Sequence, residues 1–475
     1  MQYIAALLCL SLSVFSHGAN NELPSLGDST SGLISIEQEH KLGRAWLRNL
    51  RQQASTLHDP ELTEYVESLI YRLASNSQVT DRRFEILLLD NKQLNAFAVP
   101  GGIIGINAGL FIHAQTEAEF SAVLAHELAH LSQRHFARQI EESRKQAPIA
   151  IATLLGSIML LATNNTEAGF AGLMTSQAAA TQTALSYSRD WEREADRLGF
   201  HTITASQIDP KGMPDMFRRM YEAHKYSQRP PEFLLTHPVT ESRISDAAAR
   251  VANHNGKIKD TDIEYQLMRT RILVDYKEDN HNLAHYQKRL RNSKNTPDKF
   301  IAQYALALLH MKQKKYKQAL VQSNALLAQD GHRISYQVLH AQSLYGLGKK
   351  QQAMDYLKGQ INLNPDNHPL TMSYIEMLNM EGRHHEGITQ LRRHSLIRPN
   401  DPSIWIKLSE LEGKTKNTVA MHQSRAEFLH LTGQNDKALK QLKAALELSK
   451  ENYLISARIE QRAREISNSD KGLDF

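Results

Sequence analysis

Hydrophobic positions recur every three to four residues from about residue 33 to 75, through Trp46, Leu47 and Leu50 and then Leu62, Tyr65, Val66 and Leu69. That spacing keeps one side of a helix apolar and predicts helical structure across the stretch. The pattern then changes. Phe84–Asp90 reads as a strand, and Phe97–Val99 and Ile103–Ile106 read as two more around the Pro100-Gly101-Gly102 break. Thr116-Glu117-Ala118-Glu119 has the form of a capping box, ahead of the apolar helical run Phe120–Ala125. Pro148–Ala162 is apolar, interrupted by Gly156, and too short to span a bilayer; a run rich in Ala, Gly, Met, Ser and Thr follows to Ala184. For 148–184 two readings stand: a buried helix beneath the site, and a mobile lid or membrane-touching flap.

Beyond the polar stretch Asn253–Lys257 the pattern becomes one of helix pairs. Ala319, Ala353 and Gly387 lie 34 residues apart, as do Pro365 and Pro399, and Gly348, Gly382 and Gly433 each precede a small residue by five. This is the tetratricopeptide period, with small residues where helices cross closely. Ala438 arrives 51 residues after Gly387, so Pro402–Lys414 reads as an extra helix that interrupts the register. Solenoids of this kind bind partners and carry no chemistry of their own.

A chain of 475 residues exceeds one ordinary domain. Its 56 basic and 51 acidic residues are interspersed, for a net charge of +5, and no basic run interleaved with aromatics argues for nucleic acid. Tyr3–Phe15 is mostly apolar and is followed by Ser16-His17-Gly18-Ala19, which fits a signal peptide cleaved after Gly18 or Ala19, although a basic leading segment is missing. The single cysteine, Cys9, lies inside that core, so the mature chain would carry no thiol, a composition at ease in an oxidising compartment. The expected location is the periplasm; an uncleaved leader anchoring the chain in the inner membrane is the alternative.

The chemistry is concentrated at His126-Glu127-Leu128-Ala129-His130. Residues four apart stack on one face of a helix, so His126 and His130 offer two imidazoles to one metal ion, and Glu127 beside them can hold a water at the metal and take its proton. A catalytic zinc needs a third ligand. In Ser188–Gly199, Glu192 and Asp196 share a helical face while Glu194 points away. Glu192 is the simplest third ligand, and Asp196 would accept a hydrogen bond from the free ring nitrogen of a ligating histidine. Ion pairs Arg189–Glu192 and Arg193–Asp196 on a solvated face are the plainer alternative. A third segment sets His237 in a proline-rigid loop, with Arg243 six residues on at the start of the helix Glu241–Val251.

The His126–His130 motif, Ser188–Gly199, Thr236–Ile244 and the upstream Asn95–Gly102 occur in the order that resembles the CAAX-prenyl-protease/HtpX family of zinc metallopeptidases. The resemblance runs from about Leu23 to the last repeat, tighter in the protease half. It implies a mainly α fold with a small β-sheet: a gluzincin-type α+β metalloprotease domain followed by an α-solenoid of tetratricopeptide repeats. It implies one Zn2+ per chain held by His126, His130 and Glu192, with Glu127 as general base. His237 would be either an oxyanion-stabilising group or a regulatory fourth ligand that keeps the enzyme latent, and we take the second. Arg243 would brace the loop or the transition state, or be a structural ion pair. The strand Ile103, Ile104, Gly105 and Ile106 would be a substrate-pairing edge beside the metal. Implied clients are misfolded or stalled outer-membrane β-barrel proteins, with the repeats docking the barrel-assembly machinery and peripheral membrane contact compatible with the charge. The expected division is a signal peptide at 1–19, a protease domain at 20–255, repeats at 256–467 and a frayed tail at 468–475. A latent or non-catalytic scaffold is the competing expectation; Glu127 argues against it, since a scaffold needs no acid between its histidines.

Overall fold

A computed structural model describes residues 34–142, 155–156, 158–159, 188–225, 231–258, 262–276, 282–293 and 296–469. The expected signal peptide, most of the 148–184 stretch and residues 470–475 lie outside the described residues. Two helices open the described chain. In α1 (Ile36–Gln53) Ser35 and Gln38 form a reciprocal capping box, and in α2 (Pro60–Ser75) the Asp59 carboxylate accepts from the amides of Glu61 and Leu62. Each buries its apolar stripe: Trp46, Leu47 and Leu50 against the sheet, Leu62, Val66 and Leu69 against the helices of the metal centre.

The sheet has strands β1 (Glu85–Leu89), β2 (Ala96–Val99) and β3 (Ile103–Asn107) in the order β1-β3-β2. Strand β1 runs parallel to β3, and β2 runs antiparallel to it. Gly101 and Gly102 make the β2–β3 turn at φ +81° and +76°, and a Cβ at Gly101 would lie 2.8 Å from the Glu39 carbonyl oxygen. This topology corrects one expectation. Ile103, Ile104, Gly105 and Ile106 form the central strand, buried along its length and hydrogen-bonded on both sides, so they offer no edge to a substrate. The edge strand packed against the metal-binding helix is β2.

Among the described residues this half continues with α3 (Ala108–His113), α4 (Glu117–Ser132), α5 (His135–Glu142), α6 (Arg189–Ala205), α7 (Gly212–Lys225) and α8 (Phe233–Thr236), and α9 (Glu241–Ala252) follows. Leu155 and Ile158, described members of the ambiguous apolar stretch, are buried against Trp46 and Phe97, and Trp46 Nε1 donates to the Leu155 carbonyl at 2.9 Å. After the polar linker, α10 (Asp262–Asp275) packs Tyr265 against the Phe111–Phe120 pair, and its hydroxyl donates to the Ala114 carbonyl at 2.8 Å. The first helix past the linker therefore completes the protease core.

The repeats are more regular than the sequence reading allowed. The second helices of four successive pairs begin at Tyr316, Lys350, His384 and Thr418, each 34 residues after the last. The left-handed turn two residues ahead of each falls on Lys314, Gly348, Gly382 and Lys416. Pro402–Lys414 is thus the first helix of an ordinary pair, and the register is unbroken. Small residues do not mark it, because Met421 occupies the repeating site and Lys416 its turn. A fifth pair, Asn435–Leu448 with Tyr453–Asn468, ends the solenoid.

The solenoid curls back over the protease half. Glu64 on α2 accepts from the amides of Asn367 and His368, Arg398 pairs with Glu67, and Arg51 on α1 donates to the carbonyl of Asn400 at 3.2 Å. Between them remains a cavity of about 910 Å³ lined by Tyr71, Phe84, Ile86, Met372, Ile397 and Phe428 among others. Among the described residues, no helix is long and apolar enough to cross a membrane.

Candidate metal centre

Helix α4 carries the first donors. Thr116 caps it by accepting from the Glu119 amide at 3.2 Å, and the chain from Glu119 to His130 is buried without a break. A helix buried on every side must satisfy its polar groups internally, so His126, Glu127 and His130 need partners from elsewhere in the fold. Helix α6 supplies them. It starts at Ser188, whose hydroxyl accepts from the Trp191 amide, and crosses α4 at Gly199, where a Cβ would stand 3.2 Å from the His126 backbone nitrogen. Only a residue this small lets Glu192 and Asp196 reach the histidines.

Four side chains converge. One ligand atom from each of His126, His130, Glu192 and His237 lies within 4.8 Å of the other three, and all four residues are buried. His126 Nε2 is 3.0 Å from His130 Nε2, 3.4 Å from Glu192 Oε2 and 3.3 Å from His237 Nδ1, which in turn is 2.8 Å from Glu192 Oε1. Three nitrogens and one carboxylate facing a common point suit a tetrahedral zinc. The buried carboxylates draw positive charge to one ring of the cluster, while burial holds His130 well below its ordinary value. Burial opposes a proton on His126, yet Glu192 and Asp196 outweigh it and raise its pKa to about 9. Glu192 is held well below the usual carboxylate range: burial opposes this, and His237, Arg243 and His126 overcome it.

Glu127 sits beside the cluster. Burial raises its pKa, the Ala98 amide of β2 donates to it, and its Oε1, 3.5 Å from His237 Nε2, has no hydrogen-bond partner among the described residues. An orphaned buried carboxylate oxygen facing the donors is the place for a reacting water.

Asp196 Oδ1 is 3.1 Å from His126 Nδ1, the nitrogen turned away from the cluster. Arg243 ties the acidic pair together. Its guanidinium gives Nε and Nη2 to the two oxygens of Asp196 at 2.8 Å, reaches Glu192 Oε2 at 2.7 Å and donates to the Pro238 carbonyl at 2.7 Å. Of the alternative ion-pair partners, Arg193 pairs with Asp190 and not with Asp196 among the described residues.

The His237 loop is anchored by residues that sequence reasoning missed. Glu232 is buried, with Oε2 3.3 Å from Asn95 Nδ2 and 3.5 Å from Asn107 Nδ2, and the Phe233 amide donates to the Leu94 carbonyl. Burial raises Glu232 to about 7 against the pull of the two amides. Phe233 stacks on the His237 ring at 4.7 Å. Also missed was His135, fully buried, with Nδ1 2.8 Å from His130 Nδ1 and Nε2 3.2 Å from Glu194 Oε2. Asn95 lay within a recognised motif; nothing in spacing pointed to His135 or Glu194.

Residues 60–251 match peptidase family M48. The chain is 32% identical over 440 residues to the β-barrel assembly-enhancing protease of Escherichia coli (strain K12), covering 93% of this chain and 90% of that one. It is 32% identical over 445 residues to the protein of the same name from Yersinia pestis, covering 94% and 91%. The mitochondrial metalloendopeptidase OMA1 of Schizosaccharomyces pombe is 28% identical over 182 residues, 38% of this chain and 51% of that one.

Proposed function

Since the chain belongs to the family of β-barrel assembly-enhancing proteases and carries a peptidase family M48 domain, we propose that it is a periplasmic zinc endopeptidase that degrades misassembled outer-membrane β-barrel proteins and has a chaperone-like part in their assembly. The observation that carries the reading is the convergence of His126, His130, Glu192 and His237 on one point, with Glu127 alongside. Zinc held by these residues would polarise a scissile carbonyl and acidify a water. Glu127, beside the cluster, would take a proton from a water held there and pass it to the leaving amine nitrogen; its raised pKa suits both transfers. Strand β2, whose Ala98 amide already meets Glu127, is the edge along which an extended substrate segment would lie. Asp196 orients His126, and Arg243 holds Asp196, Glu192 and the His237 loop in one frame. Docking to the barrel-assembly machinery falls to the solenoid and its cavity against α2 and β1.

With a fourth donor the centre would be latent: a catalytic zinc keeps a position open, and His237 would fill it. This same observation favours the second reading, a non-catalytic scaffold. The test is metal analysis of the purified chain with proteolysis of a loosely folded substrate. One zinc per chain is expected. Glu127→Gln should lower cleavage by roughly 10²–10⁴-fold, and His237→Ala should raise it. Cleavage that survives Glu127→Gln sinks the mechanism; no cleavage by either wild type or His237→Ala leaves the scaffold.

A further inference from the structure

We propose that His135 and Glu194 are a positioning pair that fixes His130 as a metal ligand, and this rests on the reading of the centre given above. Both ligating histidines of α4 present Nε2 to the cluster, so each has its Nδ1 turned outward. The outward nitrogen of His126 faces the Asp196 carboxylate at 3.1 Å. That of His130 faces a second imidazole, His135 Nδ1, at 2.8 Å.

Proton positions follow from the chain of contacts. For His130 Nε2 to give its lone pair to a metal, the ring proton must sit on Nδ1, which then donates to His135. His135 Nδ1 must therefore be bare, which puts its own proton on Nε2, aimed at Glu194 Oε2 3.2 Å away. Glu194 is held in turn by Arg138 at 3.2 Å. Every member of the line has one consistent role, and reversing any one of them would set two donors or two acceptors face to face.

The fold spends two unusual features on this arrangement. Arg134 adopts φ +51°, a left-handed conformation that a long side chain rarely takes, and the chain turns there between α4 and α5 so that His135 doubles back on His130. Trp191, at the start of α6, then stacks flat on the His135 ring, with centroids 5.3 Å apart and planes 9° from parallel. The indole fixes the ring plane while Glu194, one turn along the same helix, fixes its proton. The two α4 histidines are thereby oriented by different means, one by a carboxylate directly and one by a carboxylate through a neutral ring.

The test uses the full chain and zinc itself. Zinc affinity is measured by competition with a chromophoric chelator, and thermal unfolding is followed with and without the ion. His135→Phe keeps the stacking ring but removes the acceptor; it should weaken zinc binding roughly 10–100-fold. It should leave the unfolding temperature of the metal-free protein near that of wild type and shrink only the zinc-induced rise. His135→Gln, which retains one acceptor and one donor, should recover part of the affinity, and Glu194→Gln should lose less than about tenfold. A His135→Phe protein that binds zinc within about twofold of wild type overturns the proposal, as does one whose only change is a lower metal-free unfolding temperature. If His135→Phe fails to fold, Glu194→Gln decides: unaltered affinity overturns, reduced affinity with unaltered metal-free stability supports. Failure of wild type to bind zinc removes the metal-centre reading and this inference together, whereas wild-type binding with an indifferent His135 removes this inference alone.

Discussion

The metal centre and the solenoid solve opposite problems with the same helices. In the solenoid each helix touches its sequence neighbours, the contacts repeat every 34 residues, and the clusters are apolar: Ile375, Leu391, Ile404, Leu408 and Leu411 form one of them. In the metal centre the partners come from α4, α6, the His237 loop and α9, more than 100 residues apart at the extremes, and they are charged and buried. Local apolar contacts make a structure that is hard to break at one point. Long-range buried charges make one that depends on every member, because each is neutralised only by the others. The two regions should therefore fail differently.

The largest effect is expected where the charge network loses its guanidinium. Arg243→Met leaves Glu192 and Asp196 buried without their guanidinium, a change that should cost roughly 3–5 kcal/mol in the metal-free protein. Added zinc should return part of it, since a divalent ion replaces the lost positive charge. Urea unfolding with and without zinc measures both; equal loss in the two conditions would mean that the acidic pair does not face the ion.

The matching cut in the solenoid is Leu408→Ala, a fully buried side chain far from the centre. It should cost about 2–5 kcal/mol and leave zinc affinity unchanged. A fall in affinity would show that the halves are coupled more tightly than the α10 core and the Glu64, Glu67 and Arg51 contacts imply.

Between these lies the anchor of the His237 loop. Asn95→Ala removes one of the two amides that hold Glu232, a loss of about 1–3 kcal/mol when a buried acceptor is left short of a partner. Because the anchor favours the closed loop, proteolysis should rise several-fold. His237→Ala sets the ceiling. Unchanged proteolysis in Asn95→Ala would mean that Phe233 and the Arg243–Pro238 contact hold the loop without help.

The difference between the regions also explains what could be read from the chain. Residues whose role is set by helical spacing were legible: His126 and His130 at four apart, Glu192 and Asp196 at four apart, Ala319 and Ala353 at one repeat apart. Positions set by tertiary packing were not. Strand order is one, since nothing in Ile103–Ile106 tells that β1 would pair parallel with it and β2 antiparallel, turning an expected edge into the sheet's centre. His135 is another, because its role depends on a left-handed turn at Arg134 that the residue type disfavours. The unbroken register at Pro402–Lys414 was hidden for a third reason. A small residue at the repeating site is one way to let helices approach; here the small residue is Gly413 on the facing helix, where an added Cβ would lie 3.4 Å from Met421 Sδ.

The smallest effect sharpens the comparison from the solenoid side, whose buried polar pairs include two histidines. His368 and His394 stack at 5.2 Å, with Nδ1 of the first 2.9 Å from Nε2 of the second, beside Asp401 and Arg398. Burial first, then Arg398, lowers their pKa values to about 3 and about 4. An unfolded histidine titrates near 6.5, so between about pH 6.5 and pH 4 the unfolded chain binds protons that the folded one refuses. Stability from this source is whole above pH 6.5 and is lost as pH falls through that window. Glu61, raised to about 7 by burial at the Arg271 junction, acts in the opposite sense, since its folded form keeps a proton that the unfolded form releases above the ordinary carboxylate range. The pair is isolated by difference: wild type minus His394→Asn, both metal-free, in urea unfolding at pH 7.5 and pH 5. The substitution should flatten the acid slope by about 1 kcal/mol, and an unaltered slope would mean that the two rings charge freely in the folded state. A metal centre would respond to the same acidification by losing its ion, so the solenoid term is visible only once zinc has been removed.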